Sequence, residues 1–260
     1  MDYQTLILTY PRADILQIQL SRPDKLNALN ALVFEELEQT ILYVKQSAEI
    51  KGVIITGEGK AFCAGADIRR LLTVDAEEGF ILATEGQRVF RQLEKLGKPS
   101  IAAVNGLALG GGCELAIAAT LRIASESAAF GQPEVKLGLL PGYGGTQRLA
   151  RLVGKGRALE ACMTGLLLDA PTALQWGLIS AVTPIHDLLP TAVAQLSLIL
   201  GMGPAAIREV MAVIDEGYDL PLDEALAVEA RAFSVLCGTQ DKKEGIEAFL
   251  EKRQPLFSGK

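Results

Sequence analysis

Two glutamates and a run of three glycines hold the clearest chemistry in this chain. Gly110, Gly111 and Gly112 lead into Glu114, and Glu134 follows 20 residues later, directly after Pro133. A glycine run at the start of a helix lets a substrate come close to the backbone, because no Cβ stands in the way. The helix N-terminus adds unpaired N–H groups and the positive end of the macrodipole. Such a place can receive an oxygen that gains negative charge during a reaction. Two carboxylates beside it point to acid/base chemistry next to a polarised carbonyl. A second amide of this kind is offered by Ala61-Phe-Cys-Ala-Gly-Ala-Asp-Ile, where the N–H of Ala66 lies at the passage from strand to helix.

Each of these residues also has a plainer reading. The glycine run packs a strand tightly against a helix, and Glu114 is a favourable acid in a helix's first turn. Glu134 is a loop or capping acid, and Asp67 starts a helix after a glycine turn. Placed together in an apolar neighbourhood without nearby Lys or Arg, the two glutamates favour the chemical reading. Burial raises at least one carboxylate pKa, which suits a proton donor.

Other chemistries find less support. Neither glycine segment fits G-x-G-x-x-G, and no Gly-Lys is followed by Ser or Thr, which disfavours a dinucleotide fold or a phosphate-loop NTPase. The one histidine, His186, rules out a multi-histidine metal site and would carry a Ser-His-Asp mechanism alone. Its place after Pro184 predicts a surface or capping role. Metal-free carboxylate chemistry without a cofactor is left. The net charge of −6 gives no electrostatic reason to expect nucleic acid. Cys63, Cys113, Cys162 and Cys237 show no paired spacing and read as reduced core residues. No window approaches the ~18 apolar residues of a membrane span, and the N-terminus lacks signal-peptide features. The expectation is a cytoplasmic protein.

The elements that must position these residues follow from the pattern. Residues 3–9 and 14–20 read as strands joined by a turn containing Pro11. Asn30 is an N-cap for a helix reaching about Ser47, with Val33, Leu37, Ile41 and Val44 at helical spacing. A short buried strand covers 52–57, a loop 58–65, and Ala66-Asp67-Ile68 opens a helix. A longer helix spans 76–95 and stops before Pro99. The strand at 101–104 begins the same strand-then-helix order again, about 48 residues later. Short strands at 121–124 and 128–130 follow, and beyond Thr146 the chain reads as helical at 148–152, 157–163, 170–176, 188–200, 205–217, 223–236 and 243–252. The expectation is an α/β core over 1–185 that carries the site, then a helical region over 186–260.

Four segments, taken in order, resemble one family. They are Ala61-Phe-Cys-Ala-Gly-Ala-Asp-Ile; Ala102-Ala-Val-Asn-Gly-Leu-Ala-Leu-Gly-Gly-Gly-Cys-Glu-Leu-Ala; Phe130-Gly-Gln-Pro-Glu; and Leu137-Gly-Leu-Leu-Pro-Gly-Tyr-Gly-Gly-Thr-Gln-Arg-Leu. Together they look like the enoyl-CoA hydratase (crotonase) family, and the likeness runs from Arg22-Pro to Ala248-Phe-Leu-Glu-Lys-Arg. It implies a crotonase-like spiral of ββα turns with a helical C-terminal trimerisation region, assembled as a homotrimer or a dimer of trimers. It also implies a bound acyl-CoA whose thioester carbonyl accepts from the amides of Ala66 and Gly111.

By the same likeness, Glu114 helps deprotonate a water for attack at the β-carbon, and Glu134 delivers a proton to the α-carbon. CoA contacts are implied for Lys25, Leu26, Ala64, Asp67 and Ile68, and across a subunit boundary for Phe233 and Lys252. The plainer readings of the last two are core packing and a solvated helix face. Tyr143 borders the acyl pocket or is a structural aromatic. One departure stands out: family members carry an aspartate just before the Arg-Ile-Ala strand, where this chain has Thr120-Leu121, and local stability is what that substitution touches.

The expected activity is that of a hydro-lyase: reversible syn addition of water to a trans-2-enoyl-CoA, as in fatty-acid β-oxidation, with CoA as part of the substrate. The near alternative is an enoyl-CoA isomerase or a hydratase for branched acyl-CoA. A non-catalytic CoA- or RNA-binding protein on the same scaffold is the alternative of another class; two intact glutamates and the acidic balance speak against it.

Overall fold

The computed structural model describes residues 3–260, which fall into two compact units, one ending at Ala194 and the other spanning Gln195–Lys260. In the first unit the chain enters as an antiparallel pair, β1 (Leu6–Arg12) and β2 (Ile15–Leu20), and continues into α1 (Ala31–Gln46). Asn30 caps α1, its side chain accepting from Val33 N at 2.9 Å.

Three rounds of strand, strand and helix follow. The first is β3 (Gly52–Gly57), β4 (Ala61–Cys63), then α2 (Ile68–Leu71) and α3 (Ala76–Glu94). The second is β5 (Ser100–Val104), β6 (Leu107–Leu109) and α4 (Gly111–Ala118). The third is β7 (Leu121–Ser125), β8 (Ala129–Gly131), a 3-10 turn at Pro133–Leu137, and α5 (Gly145–Val153). Then come α6 (Lys155–Thr164), β9 (Leu167–Asp169), α7 (Ala170–Gln175) and β10 (Ala181–Thr183).

Each round places its first strand in one sheet and its second in another. The large sheet runs β1-β2-β3-β5-β7-β10 and the small one β4-β6-β8-β9. From β2 onward the large sheet is parallel. Both faces of a parallel sheet are covered, so its strands are continuously apolar; all of β3 and β5 is buried accordingly. In each round the short strand follows closely on the long one, and the segments after β4, β6 and β8 bring Ala66, Gly111 and Glu134 to one cavity.

The structure departs from the sequence pattern in identifiable places. Residues 58–65 are not one loop, because Ala61–Cys63 forms β4. The strands β6, β9 and β10 are likewise absent from the periodicity. All four are three residues long, too short to show an alternation. Pro11 lies inside β1 rather than in the turn. An edge strand tolerates a residue with no N–H to donate, and the β1–β2 register shifts between Thr9 and Arg12 around it. Cys237 is exposed, not a core residue. Where the family likeness asks for an aspartate, the Thr120 hydroxyl lies 3.1 Å from Ser100 N, and Thr120 N donates to Ser100 Oγ at 3.0 Å. The neighbouring Arg122 is buried and donates to the carbonyls of Leu178 (2.6 Å) and Ala119 (2.8 Å); burial pushes its pKa down to about 10.

The second unit follows α8 (Leu188–Leu200), whose last turns belong to it. It holds α9 (Pro204–Gly217), α10 (Leu222–Cys237) and α11 (Gln240–Glu251). Buried Asp241 gathers the chain's end onto the start of α11 by accepting from Ser258 N (2.6 Å) and Gly259 N (2.8 Å). Among the described residues, no single helix is long and apolar enough to cross a membrane.

Asn27 ties the loop before α1 to β4. It is buried in the left-handed region at φ 58, its amide donating to Glu58 O (2.9 Å) and Ala61 O (2.8 Å) while its oxygen accepts from Arg22 N (2.9 Å). Asn27→Ala strands these buried groups and puts alanine, which tolerates the left-handed region less well than asparagine, at φ 58. The expected loss is about 2–4 kcal/mol, read as a lowered urea midpoint. An unchanged midpoint would remove Asn27 as the tie.

Candidate active site

The three glycines divide between them the two roles that the sequence leaves open. Gly112 serves packing: a Cβ there would sit 2.0 Å from Cys63 O, so α4 rests directly on β4. Gly110 makes the turn, at φ 49, with its N–H donating to Gly131 O at 2.8 Å and its C=O accepting from Glu114 N at 2.9 Å. Gly111 is the first residue of α4, a position whose N–H has no partner inside the helix.

The amide of Ala66 is freed in another way. Ala66 forms a parallel bridge with Leu29, in which Leu29 N donates to Gly65 O (2.8 Å) and Asp67 N donates to Leu29 O (2.9 Å). Successive amides of an extended chain point to opposite sides, so the N–H of Ala66 faces away from Leu29. Gly65, at φ 102, brings this segment against Leu109 and Gly111; a Cβ on it would lie 2.9 Å from Leu109 O. Ala66 and Gly111 both line one cavity of about 430 Å³.

Glu114 and Glu134 line the same cavity. Glu114 is wholly buried, and its Oε1 accepts from Tyr143 N (2.8 Å) and Gly145 N (2.6 Å). Gly145 must lack a side chain for this, since a Cβ would meet Glu114 Oε1 at 2.9 Å. Glu134, on the 3-10 turn, packs its carboxylate over the Cα of Gly110, where a Cβ would come 2.6 Å from Oε1. Each glutamate has a buried Oε2 with no partner among the described residues. Burial pushes the Glu114 carboxyl up to about 7; its two amide donors oppose this, and the charge of Glu134 reinforces it. Burial also raises Glu134. Two carboxyls displaced upward, with free oxygens in an apolar cavity, are equipped to hold and pass a proton at neutral pH.

The sequence reading places no cation near this pair, and here it needs correction. Arg148, on α5, lies close enough to lower Glu114. It donates to Tyr143 O at 2.7 Å and pairs with Glu94 through two contacts of 2.8 Å. Its charge is thus already engaged, and burial outweighs it. Also absent from the sequence reading is Gln132, wholly buried with both amide atoms unpartnered among the described residues; it packs beside Gly145 and so next to Glu114. The Phe130-Gly-Gln-Pro-Glu segment contains it, but nothing in its type or spacing marks it.

The remaining predicted residues are placed as follows. Ala64, Ile68 and Tyr143 line the cavity. Asp67 caps α2 by accepting from Arg69 N at 3.2 Å, which is its plainer reading. Lys25 and Leu26 sit on an exposed turn joined to the site by the Ala64 N–H, which donates to Leu26 O at 2.9 Å. Tyr143 is buried and both borders the cavity and serves as a structural aromatic, with ring centroids 5.1 Å from Phe34 and 5.8 Å from Phe90. Phe233 and Lys252 belong to the second unit. Phe233 is exposed on α10, not packed in a core, and Lys252 is an exposed residue at the C-terminal cap of α11. His186 is exposed beside Asp187. No group of three or more His, Cys, Asp or Glu side chains among the described residues is arranged to hold a metal ion.

Residues 11–260 match the sequence model of the enoyl-CoA hydratase/isomerase family. The chain is 43% identical to a crotonyl-CoA hydratase of Syntrophomonas wolfei over 100% of both proteins. It is 44% identical to a short-chain-enoyl-CoA hydratase of Clostridium acetobutylicum over 91% of each. The crystal structure of an enoyl-CoA hydratase from Bacillus anthracis superposes with a TM-score of 0.95 at 38% identity, covering 99% of this chain and 100% of that one. The two-sheet spiral of strand–strand–helix rounds is therefore the crotonase-like fold, and the chain belongs to the enoyl-CoA hydratase/isomerase family.

Proposed function

We propose that this protein is an enoyl-CoA hydratase, adding water reversibly and in the syn sense to a trans-2-enoyl-CoA to give a 3-hydroxyacyl-CoA. One observation carries the reading: two buried carboxyls, each with an unpartnered oxygen, share an apolar cavity with the amides of Ala66 and Gly111. The thioester oxygen accepts from those amides. As water adds at the β-carbon, negative charge moves onto that oxygen, and each preorganised donor contributes on the order of 3 kcal/mol in sites of this type. Glu114, whose pKa lies near neutrality, takes a proton from the attacking water, and Glu134 gives one to the α-carbon. This chemistry needs no metal or cofactor, since CoA arrives with the substrate.

The backbone of Ala64, Asp67 and Ile68 with the Lys25–Leu26 turn receives the CoA, and Phe233 and Lys252 reach it from a neighbouring subunit. The relatives named for crotonyl-CoA and short-chain enoyl-CoA favour a short acyl group, and the proposal includes a place in fatty-acid β-oxidation and in the cytoplasm. We extend the proposal to assembly as a homotrimer or a dimer of trimers. Phe233, Phe249, Leu250 and Leu256 of the second unit are each at least 69% exposed, more apolar surface than an isolated protein usually leaves bare.

Three measurements test this. Purified protein is expected to consume crotonyl-CoA, followed by loss of the enoyl-thioester absorbance, and Glu134→Gln is expected to lower kcat about 10²–10⁴-fold while keeping acyl-CoA affinity. Near-normal turnover in that variant would take Glu134 out of the mechanism; turnover of a 3-enoyl-CoA without hydration would favour an isomerase. Light scattering is expected to give three or six times the mass of one chain, and a monomer would reject the assembly.

The third is a stability test. Folding raises the Glu114 pKa, so the protonated form is favoured in the native state. That contribution is full below the ordinary carboxylate range and is lost as pH rises through about 7. Glu114→Gln is therefore expected to be more stable than the parent at pH 8, on the order of 1–3 kcal/mol, with the gap closing toward pH 4.5. Denaturation curves at the two pH values decide it, and a gap independent of pH would count against a raised Glu114.

A further inference from the structure

One aromatic ring, that of Tyr143, lines the cavity. Along α3 its wall is made by Ala76, Gly79, Leu82 and Ala83, and it stops one turn before Gly86. The ring of Tyr143 occupies that place. A Cβ added at Gly86 would come 2.2 Å from the ring, and one added at Gly111 would come 3.0 Å from it. The ring thus fills the gap between two helices that both present glycine to it, backed by Phe34 and Phe90.

The main chain that carries the ring is anchored as well. The Tyr143 N–H donates to Glu114 at 2.8 Å, and its C=O accepts from Arg148 at 2.7 Å.

Resting on the hydratase reading, we infer that Tyr143 closes the far end of the acyl pocket and restricts the substrate to short, straight enoyl chains. The ring touches Gly111, whose amide receives the thioester oxygen, so the wall stands only a few bonds beyond the carbonyl. A longer tail must displace the ring or turn outward along Ala76 and Gly79. Shortening the side chain opens the space between Gly86, Phe34 and Phe90 to that tail.

The test compares kcat/KM for trans-2-enoyl-CoAs of four and ten carbons in the parent, Tyr143→Ala, Tyr143→Leu and Tyr143→Phe proteins. The parent is expected to prefer four carbons. Alanine and leucine are expected to raise the ten-to-four ratio at least tenfold, and phenylalanine, which keeps the ring, to retain the parent's ratio. Leucine preserves apolar volume and carries the test if the alanine variant does not fold. Calorimetric dissociation constants for butyryl- and decanoyl-CoA make the same comparison without turnover. Ratios within threefold of the parent in both truncated variants, in turnover and in binding, would overturn the assignment. A parent that turns over neither enoyl-CoA, while binding follows the length rule, would defeat the hydratase reading and leave the pocket assignment standing.

Discussion

A carboxylate with no solvent exposure has to be held, and the packing around Glu114 is arranged to hold it. Leaving water costs an ionised carboxyl several kcal/mol unless hydrogen bonds replace its hydration. Two amides from the Tyr143–Gly145 turn supply part of that replacement, aimed at one oxygen only. The other oxygen is left without a partner among the described residues, and burial pushes the carboxyl up to about 7. Full satisfaction by a cation would have pinned it as an anion. Arg148 is instead occupied by Glu94 and the Tyr143 carbonyl.

The same turn links the acidic pair to the rest of the core. Gln87 on α3 donates to Gly142 O at 2.8 Å, and Arg148 on α5 holds the next carbonyl. Glycine at 86, 111 and 145 lets an aromatic ring and a carboxyl approach backbone that any side chain would block. The two glutamates, the Gly111 helix start and Tyr143 therefore share one set of close contacts. A substitution at any of them is expected to disturb the others, as contacting residues usually couple.

Parallel strands explain why this arrangement sits where it does. Each long strand ends in a short one of the second sheet, so the chain must turn at the carboxyl end of every round, and those turns lie side by side. The Ala66 segment closes the first round, the glycine run the second and Glu134 the third. Residues far apart in the chain become neighbours because the rounds stack in register, not because any of them attracts another.

Much of this is written locally. Asn30 as a cap, the periodic helices α1 and α3, and the glycine-to-Glu114 helix start are set by hydrogen bonds and side-chain spacing within a few residues, which a sequence displays directly. The order of the four family segments extends that reading to the spiral fold and to the pair Glu114 and Glu134. The three-residue strands β4, β6, β9 and β10 are invisible in the sequence, because their pairing comes from partners in other rounds. So are the nearness of Arg148 to Glu114, the place of Gln132 beside Gly145 and the seat of Tyr143 against Gly86. Each brings together residues 13 to 57 positions apart. Side-chain type and periodicity settled which segments form helices and buried strands; only the packed chain decided which polar groups found partners and which were left free to act.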